Sequence, residues 1–233
     1  MNPTGPEVRH PFEGKPLTRE VTDENGNVRF EVTAAVLTPL RARIADELAL
    51  WTAGAVAALL ILHVMNHDPT LPTLLFAAST WFLHPLFKLA WRKSLRRTVH
   101  MVITAEEFRF RGWTGWRSFD RKLQHRFALI LHDKARRERD RHELEERKAQ
   151  QNKKIIKKRR YYQDSYHLAF EYIGQRNDVA TIYGRPDAQA VLARLKGVDE
   201  VMTAHANRGG GTPLRPQQEW VEQPGAIPET PDR

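Results

Sequence analysis

The stretch that decides the fold is LALWTAGAVAALLILHV at residues 48–64, together with LPTLLFAASTWFLHPLF at residues 71–87. Neither run contains Asp, Glu, Lys or Arg, and the break between them centres on Asn66-His67-Asp68-Pro69. As a helix, each run would be roughly 25 to 28 Å long, close to a hydrocarbon core of about 30 Å. We therefore expect a transmembrane helical hairpin. The alternative is a buried helical hairpin inside a soluble protein.

Basic residues lie at one end of this hairpin only. Arg41 and Arg43 precede the first run, and the break contains no Lys or Arg. Four more basic residues follow the second run: Arg92, Lys93, Arg96 and Arg97. By the positive-inside rule, both termini are expected in the cytoplasm and the protein in the inner (cytoplasmic) membrane as a multi-pass protein. We expect these four residues to contact the membrane surface or a partner.

The composition limits what the rest of the chain can form. The mean hydropathy is -0.58 although 41% of the 233 residues are hydrophobic, because a strongly apolar hairpin is averaged with a strongly charged remainder. That remainder is long enough for one modest soluble domain. The chain has no cysteine, which excludes disulfides, thiolate nucleophiles and cysteine-ligated zinc or iron–sulfur sites. The first twenty residues lack the apolar core of a secretory signal, so insertion would rely on the hairpin.

Small residues indicate how the two helices would pack. Gly54 and Ala58 on the first helix are expected to meet Ala77 and Ala78 on the second. Thr38-Pro39 predicts the start of the first helix, with Thr as N-cap and Pro at the first helical position. In the second run, His84-Pro85 predicts a kink.

Outside the two runs the sequence alternates with a period of two. A β-hairpin is predicted over Arg19–Val32, around Asn25-Gly26, and a second one around 175–178 between YHLAFEYIG and VATIYG. Between them, an antiparallel meander is predicted with strands near 99–104, 107–111, 116–120 and 125–131. Pro186-Asp187 starts an amphipathic helix whose apolar spacing continues to Gly197. Strands closed by one helix predict an α+β fold.

These elements predict four segments. An N-terminal segment with the β-hairpin takes residues 1–37, and the hairpin with its basic juxtamembrane stretch takes residues 38–97. A sheet domain follows at residues 98–206, with a basic insertion at residues 132–160. Residues 207–233, rich in Gly, Pro and Gln, are expected to form a disordered tail.

The order of elements from Leu48 to about Leu195 resembles that of bacterial membrane proteins with two transmembrane helices and a cytoplasmic PH-like domain. The resemblance implies a small, bent antiparallel sheet capped by a C-terminal helix. It supplies no catalytic residue to transfer. The charged insertion after the fourth strand and the β-hairpin before the first helix depart from the pattern, and that β-hairpin would complete the sheet.

The insertion is the most unusual segment. Its first half is predicted to be a solvated helix, because it carries five opposite-charge pairs four residues apart: Asp133/Arg137, Arg136/Asp140, Arg139/Glu143, Arg141/Glu145 and Glu143/Arg147. Its second half has no acidic residue and forms a basic arm. The basic residues of this arm are Lys153, Lys154, Lys157, Lys158, Arg159 and Arg160.

Three roles remain open for the basic arm. Anionic lipid headgroups are one partner, since a bilayer lies nearby and each basic residue contributes about 1 kcal/mol near an anionic leaflet. Nucleic acid is another, because Tyr161 and Tyr162 next to the cluster could stack on bases. The arm is otherwise a solvated helix or a docking segment for another protein.

No stretch of the sequence predicts an enzyme or a cofactor. The motifs G-x-S-x-G, G-x-x-x-x-G-K and H-E-x-x-H are all absent. His63 and His67 have the spacing of metal ligands on one helix face, but His84 would lie roughly 15 Å away along an antiparallel hairpin, so no metal site is predicted.

The sequence therefore predicts a non-enzymatic integral membrane protein that acts as a scaffold or accessory subunit. Its PH-like domain and basic arm would contact anionic lipid or a protein partner in a membrane complex. The alternative is a membrane-tethered nucleic-acid-binding component of a DNA-transfer or secretion assembly.

Overall fold

The structure, a computed structural model, describes residues 14–22, 27–67, 70–112, 115–151 and 160–208. The chain divides into two compact units. The sheet unit contains residues up to Val36, Thr98–Asp133 and the chain from Tyr166 onward. The helical unit contains Leu37–Arg97 and Lys134–Ser165.

The sheet unit contains two sheets and one helix. Five strands form the first sheet in the order β1-β2-β3-β4-β5, and three strands form the second in the order β6-β7-β8. Pairing is antiparallel between β1 and β2, β3 and β4, β4 and β5, and β6 and β7. The helix is α5 (Arg185–Arg208). The strands are β1 (Leu17–Thr22), β2 (Val28–Val36), β3 (Arg97–Thr104), β4 (Glu107–Arg111), β5 (Trp116–Asp120), β6 (His125–Leu131), β7 (Ser165–Tyr172) and β8 (Gln175–Tyr183).

The α+β prediction is confirmed, and the predicted β-hairpin before the first helix belongs to the larger sheet. Three local predictions were wrong. The predicted meander of four strands ends at β5, because the strand at residues 125–131 is β6, which pairs with β7 in the second sheet. The last β-hairpin turns at Ile173-Gly174, where both residues have positive φ, 49° and 75°, so Gln175 already belongs to β8. The last helix continues beyond Gly197 to Arg208, because Val198 and Met202 keep its buried face in contact with the core.

Aromatic rings fill the core of the sheet unit. Phe108 of β4 lies 5.0 Å from Phe127 of β6 and 4.7 Å from Phe170 of β7, centroid to centroid, so the core joins both sheets. One face of α5 packs against the same cluster through Ala188, Val191, Leu195, Val198 and Met202. This is the burial that the helical spacing of these residues requires.

A buried charge network also holds α5 in the sheet unit. The fully buried side chain of Arg121 donates from Nε and Nη2 to Oδ1 of Asp199, at 2.9 and 2.6 Å, and from Nη1 to the carbonyl of Thr104. His125 Nε2 lies 3.4 Å from the same carboxylate oxygen. Burial opposes ionisation of Asp199, but the hydrogen bond from His125 and the charge of Arg121 hold its pKa below the usual value.

The helical unit contains one long helix and a broken return segment. The helix is α1 (Pro39–His67), and Thr38 Oγ1 accepts a hydrogen bond from Arg41 N at 3.4 Å, as predicted for its start. The return segment is α2 (Leu71–Ser79), a 3₁₀ turn at Thr80–Leu83 and α3 (His84–Ser94). The unit also contains α4 (Ala135–Gln151), which confirms the helix predicted in the insertion.

Only α1, among the residues that the structure describes, is long and apolar enough to cross a membrane by length and composition. The prediction of two such helices was wrong, because the second apolar run does not form one continuous helix. Pro85 has no N–H, and its ring would clash with the carbonyl of Trp81 in a regular helix. The chain forms the 3₁₀ turn there, and His84 N donates to Trp81 O instead.

The helical unit is inserted twice into the chain of the sheet unit. Strands β2 and β3 are hydrogen-bonded neighbours, although α1, α2 and α3 lie between them in the sequence. Strands β6 and β7 are paired neighbours on either side of α4. Each helical insertion therefore connects two strands that are neighbours in a sheet: β2 and β3 for the first insertion, and β6 and β7 for the second.

Candidate functional site

The candidate site lies at the end of the helical unit where α1 begins and α3 ends. Its centre is Asp46 of α1, whose side chain is only 3% exposed. Arg92 of α3 donates to it twice, from Nε to Oδ1 at 2.9 Å and from Nη2 to Oδ2 at 3.1 Å. Lys88 Nζ lies 3.4 Å from Oδ2. The two cations offset part of the cost of burying this carboxylate.

A third donor connects this carboxylate to the segment that follows the basic arm. The hydroxyl of Tyr161 donates to Asp46 Oδ2 at 3.1 Å. Tyr161 therefore fixes residues after the arm against α1 within the helical unit. The same carboxylate thus joins α1, α3 and the chain near Tyr161.

Glu138 of α4 holds that segment from the other side. Its carboxylate accepts hydrogen bonds from the backbone N–H groups of Tyr161 at 3.1 Å, Tyr162 at 2.7 Å and Gln163 at 2.8 Å. Three consecutive N–H groups directed at one carboxylate form a compact anion-binding turn, here occupied by a side chain of the protein itself. Both ends of the insertion are therefore tied together in the helical unit.

Small residues let α1 pack closely within the helical unit. The buried positions of α1 are Ala42, Ala45, Ala49, Ala53 and Ala57, besides Pro39 and Asp46. Ala58, predicted for this contact, is exposed, and Ala57 is buried instead. A Cβ added at Gly54 would lie 3.7 Å from the ring of Trp81. The side chains of Ala77 and Ala78, the other predicted contacts, lie outside the described residues.

An open cavity of about 850 Å³ lies beside Asp46, and the described residues that line it all belong to the helical unit. It is walled by the start of α1, by His84, by one face of α4 and by the segment at Tyr161. The lining residues are Arg43, Asp46, Glu47, Leu50, His84, Lys134, Arg137, Glu138, Arg141, His142, Glu145, Arg160, Tyr161 and Tyr162.

Charged side chains of both signs line this cavity, but the carboxylates have partners. Asp46 and Glu138 have the partners described above, and Glu47 accepts from Arg43 Nε at 2.8 Å. Arg160 pairs with Glu146 at 3.5 Å and donates to Gln163 at 3.1 Å. Within the described residues, Arg137 and Arg141 form no ion pair and no side-chain hydrogen bond.

The predicted basic residues occupy different positions. Arg92 is engaged by Asp46 inside the helical unit, whereas Lys93, Arg96 and Arg97 are exposed. Arg160 is half-buried at the cavity. The remaining predicted residues of the arm, Lys153, Lys154, Lys157, Lys158 and Arg159, lie outside the described residues.

The ion pairs predicted along α4 are replaced by others. None of the five predicted pairs is formed among the described residues. Asp133 instead lies 3.6 Å from both His167 Nε2 and Arg176 Nη1 in the sheet unit. On α4, His142 Nε2 lies 3.0 Å from Glu146 Oε1.

Sequence reasoning missed Asp46, Glu138, Arg137 and Arg141 as a group. One signal was present: Asp46 is an acid two residues before an apolar run, and Arg92 is a base five residues after the other run. In an antiparallel pair of helices such residues lie at the same level. No signal in the sequence connects Glu138 with the backbone of residues 161–163.

His63 and His67 lie at the opposite end of α1. Their ring centroids are 4.3 Å apart, and a ring nitrogen of His67 lies 2.9 Å from the carbonyl of His63. Among the described residues, no group of three or more His, Asp or Glu side chains has the geometry to hold a metal ion. The search of known protein families, curated proteins and solved structures finds no match to this chain.

Proposed function

We propose that this chain is a non-enzymatic integral membrane protein that serves as a scaffold or accessory subunit. In this proposal α1 crosses the cytoplasmic membrane and the broken segment of α2 and α3 returns the chain to the cytoplasmic side. The sheet unit and the basic arm then stay in the cytoplasm, where they contact anionic lipid or a protein partner.

The observation that carries the proposal is the exposure of the apolar side chains in the helical unit. The apolar window of α1 has a mean hydropathy of 2.1 and is only 17% buried. The core helix of a soluble protein would be mostly buried. Large side chains on the return segment are exposed as well, among them Leu75, Phe76, Phe82 and Leu86. An apolar surface of this size needs cover, and lipid provides it.

Two further features support a position of α1 in which the start of its apolar run lies at the membrane interface. Trp51 is 76% exposed at the start of the apolar run of α1, the level at which Trp is enriched in membrane proteins. Asp46 and Arg92 neutralise each other just outside that run, so no unpaired charge would lie at the edge of the hydrocarbon. At 29 residues, α1 would extend beyond a core of about 30 Å and carry this pair into the headgroup region.

We propose that the sheet unit is PH-like. This is supported by two antiparallel sheets of five and three strands around one aromatic core, with the helix α5 packed on that core at the end of the unit. Such a domain is a binding platform with no need of a catalytic group, which suits an accessory subunit.

The absence of cysteine from the chain makes the topology directly testable. Single cysteines are introduced as Asn66→Cys at the end of α1, Leu59→Cys within its apolar run and Gln175→Cys in the sheet unit. A membrane-impermeant maleimide is applied to intact cells and to permeabilised cells. We expect Asn66→Cys to react in intact cells, Gln175→Cys only after permeabilisation, and Leu59→Cys in neither.

Two outcomes would contradict the proposal. Extraction of the full-length chain from membranes by alkaline carbonate would show that it is not an integral protein. Labelling of Asn66→Cys only after permeabilisation would place both ends of α1 on one side and rule out a crossing.

To identify the partner of the arm, the wild-type chain and a neutral-arm variant are purified at full length from solubilised membranes. In the variant, Gln replaces all six basic residues of the arm: Lys153, Lys154, Lys157, Lys158, Arg159 and Arg160. The scaffold proposal expects a defined set of membrane proteins that is lost with the neutral arm. Nucleic acid lost in the same way, without such proteins, would favour the alternative of a membrane-tethered nucleic-acid-binding component.

A further inference from the structure

We propose that the cavity beside Asp46 binds the phosphate-bearing headgroup of an anionic phospholipid through Arg137 and Arg141. This inference rests on the proposed membrane function and names a lipid-binding site within it. Neither arginine belongs to the basic arm or to the juxtamembrane cluster, although Arg160 of the arm lines the same cavity.

The two arginines are placed to act together. They lie four residues apart on α4, so their side chains emerge from one helix face, about 5 to 6 Å apart at Cβ. Both are exposed, and both line the cavity. A guanidinium presents paired N–H donors in a plane, and this fork matches the oxygens of a phosphate.

The carboxylates of the cavity do not compete for these two arginines. The negative charge of Asp46 is offset by Arg92 and Lys88 from behind the cavity wall. The charge of Glu138 is directed at backbone N–H groups, and Glu47 is paired with Arg43. Glu145, the remaining lining carboxylate, also has an interaction partner. Arg137 and Arg141 thus provide positive charge that no described anion neutralises.

The cavity also has an apolar side. Leu50 lines it and is 48% exposed, and Leu50 is the third residue of the apolar run. The next residue, Trp51, is the exposed aromatic residue at the predicted membrane interface. A molecule with its phosphate at Arg137 and Arg141 would therefore extend an apolar tail along the surface of α1. This continuity favours a phospholipid over a soluble phosphate compound.

The test is native mass spectrometry of the full-length chain in detergent micelles, titrated with three probes: phosphatidylglycerol, phosphatidylcholine and glycerol 3-phosphate. The variant is Arg137→Gln/Arg141→Gln. The matched control is Arg136→Gln/Arg139→Gln, which removes the same charge from exposed positions of α4 that do not line the cavity.

We expect one phosphatidylglycerol to bind per chain, and phosphatidylcholine to bind more weakly because its headgroup has no net charge. The affinity for phosphatidylglycerol should fall roughly fivefold for each arginine removed in the variant, and little in the control. Higher salt should reduce the difference between the two lipids.

Three outcomes would overturn the inference. Equal loss in the variant and the control would mean that only the overall charge of α4 matters. Unchanged binding in the variant would exclude the two arginines. Glycerol 3-phosphate binding as tightly as the lipid would identify a soluble phosphate ligand instead. Carbonate extraction of the wild-type chain tests the membrane proposal separately, and the micelle titration does not depend on its result.

Discussion

Arg92 of α3 donates hydrogen bonds to both carboxylate oxygens of Asp46 on α1, at 2.9 and 3.1 Å. The two residues are far apart in sequence, and the pair fixes the register of the two helices at one level. Because Tyr161 donates to the same carboxylate, the pair also sets the position of the segment that leaves the basic arm. The pairing of α1 with α3 and the placement of Tyr161 are therefore parts of one arrangement.

Replacing Asp46 by Asn should destabilise the helical unit. Asn retains a hydrogen-bond acceptor but leaves Arg92 and Lys88 without a negative charge in a half-buried place. We expect the free energy of unfolding to fall by about 2 to 3 kcal/mol, measured by circular dichroism of the full-length chain during denaturation in detergent. The neighbouring change Glu47→Gln, which breaks the exposed pair with Arg43, should cost less than about 1 kcal/mol. Equal losses of stability in the two variants would contradict the conclusion that the buried Asp46 contributes more than the exposed Glu47.

Replacing Glu138 by Ala should loosen the chain after the basic arm. Three backbone N–H groups would lose their acceptor, and each such charge-assisted hydrogen bond contributes about 1.5 kcal/mol or more. We expect trypsin to cleave after Arg160 at least roughly tenfold faster, since cleavage follows the population of the locally opened state. The exposed Glu143→Ala on the same helix is the control, and a similar acceleration there would mean that α4 itself had unfolded.

The sheet unit should lose stability in acid through Asp199. Because the pKa of Asp199 in the folded chain lies below its ordinary value near 3.8, its ionised form stabilises the fold at higher pH. That contribution is lost as the pH falls from about 4 through the lower, folded pKa. The variant Asp199→Asn should be less stable at neutral pH and should show a smaller decrease in Tm between pH 5 and pH 2. Glu200→Gln, an exposed neighbour, should keep the wild-type decrease.

Gly54 should tolerate alanine but not a large side chain. A Cβ there would meet the ring of Trp81 at 3.7 Å, which is ordinary van der Waals contact. Gly54→Ala should therefore leave stability unchanged or raise it by up to about 1 kcal/mol, because alanine favours the helix. Gly54→Leu should lower it by about 1 to 3 kcal/mol through overpacking. Denaturation in detergent measures both, and a large loss with alanine would contradict the contact.

Local patterns in the sequence identified many of the separate elements. The alternation of apolar residues placed β4, β5 and β6 within their observed bounds, and Thr38-Pro39 marked the start of α1, because strand period and helix capping depend on neighbouring residues. The prediction of a second spanning helix in the return segment was wrong, and the reason is also physical. The composition of the segment suits a spanning helix, but Pro85 lacks an N–H, and the regular helix is interrupted by a 3₁₀ turn next to the predicted kink.

The sequence by itself determined the helix α1, the antiparallel strands and the closing amphipathic helix, since hydrophobic periodicity acts over a few residues. Only the tertiary structure decided that β2 and β3 are neighbours, that Arg121 is buried beside Asp199, and that Asp46, Glu138 and two arginines of α4 surround one cavity. Such contacts join residues tens of positions apart. They depend on which faces meet after burial, and no local pattern carries that information.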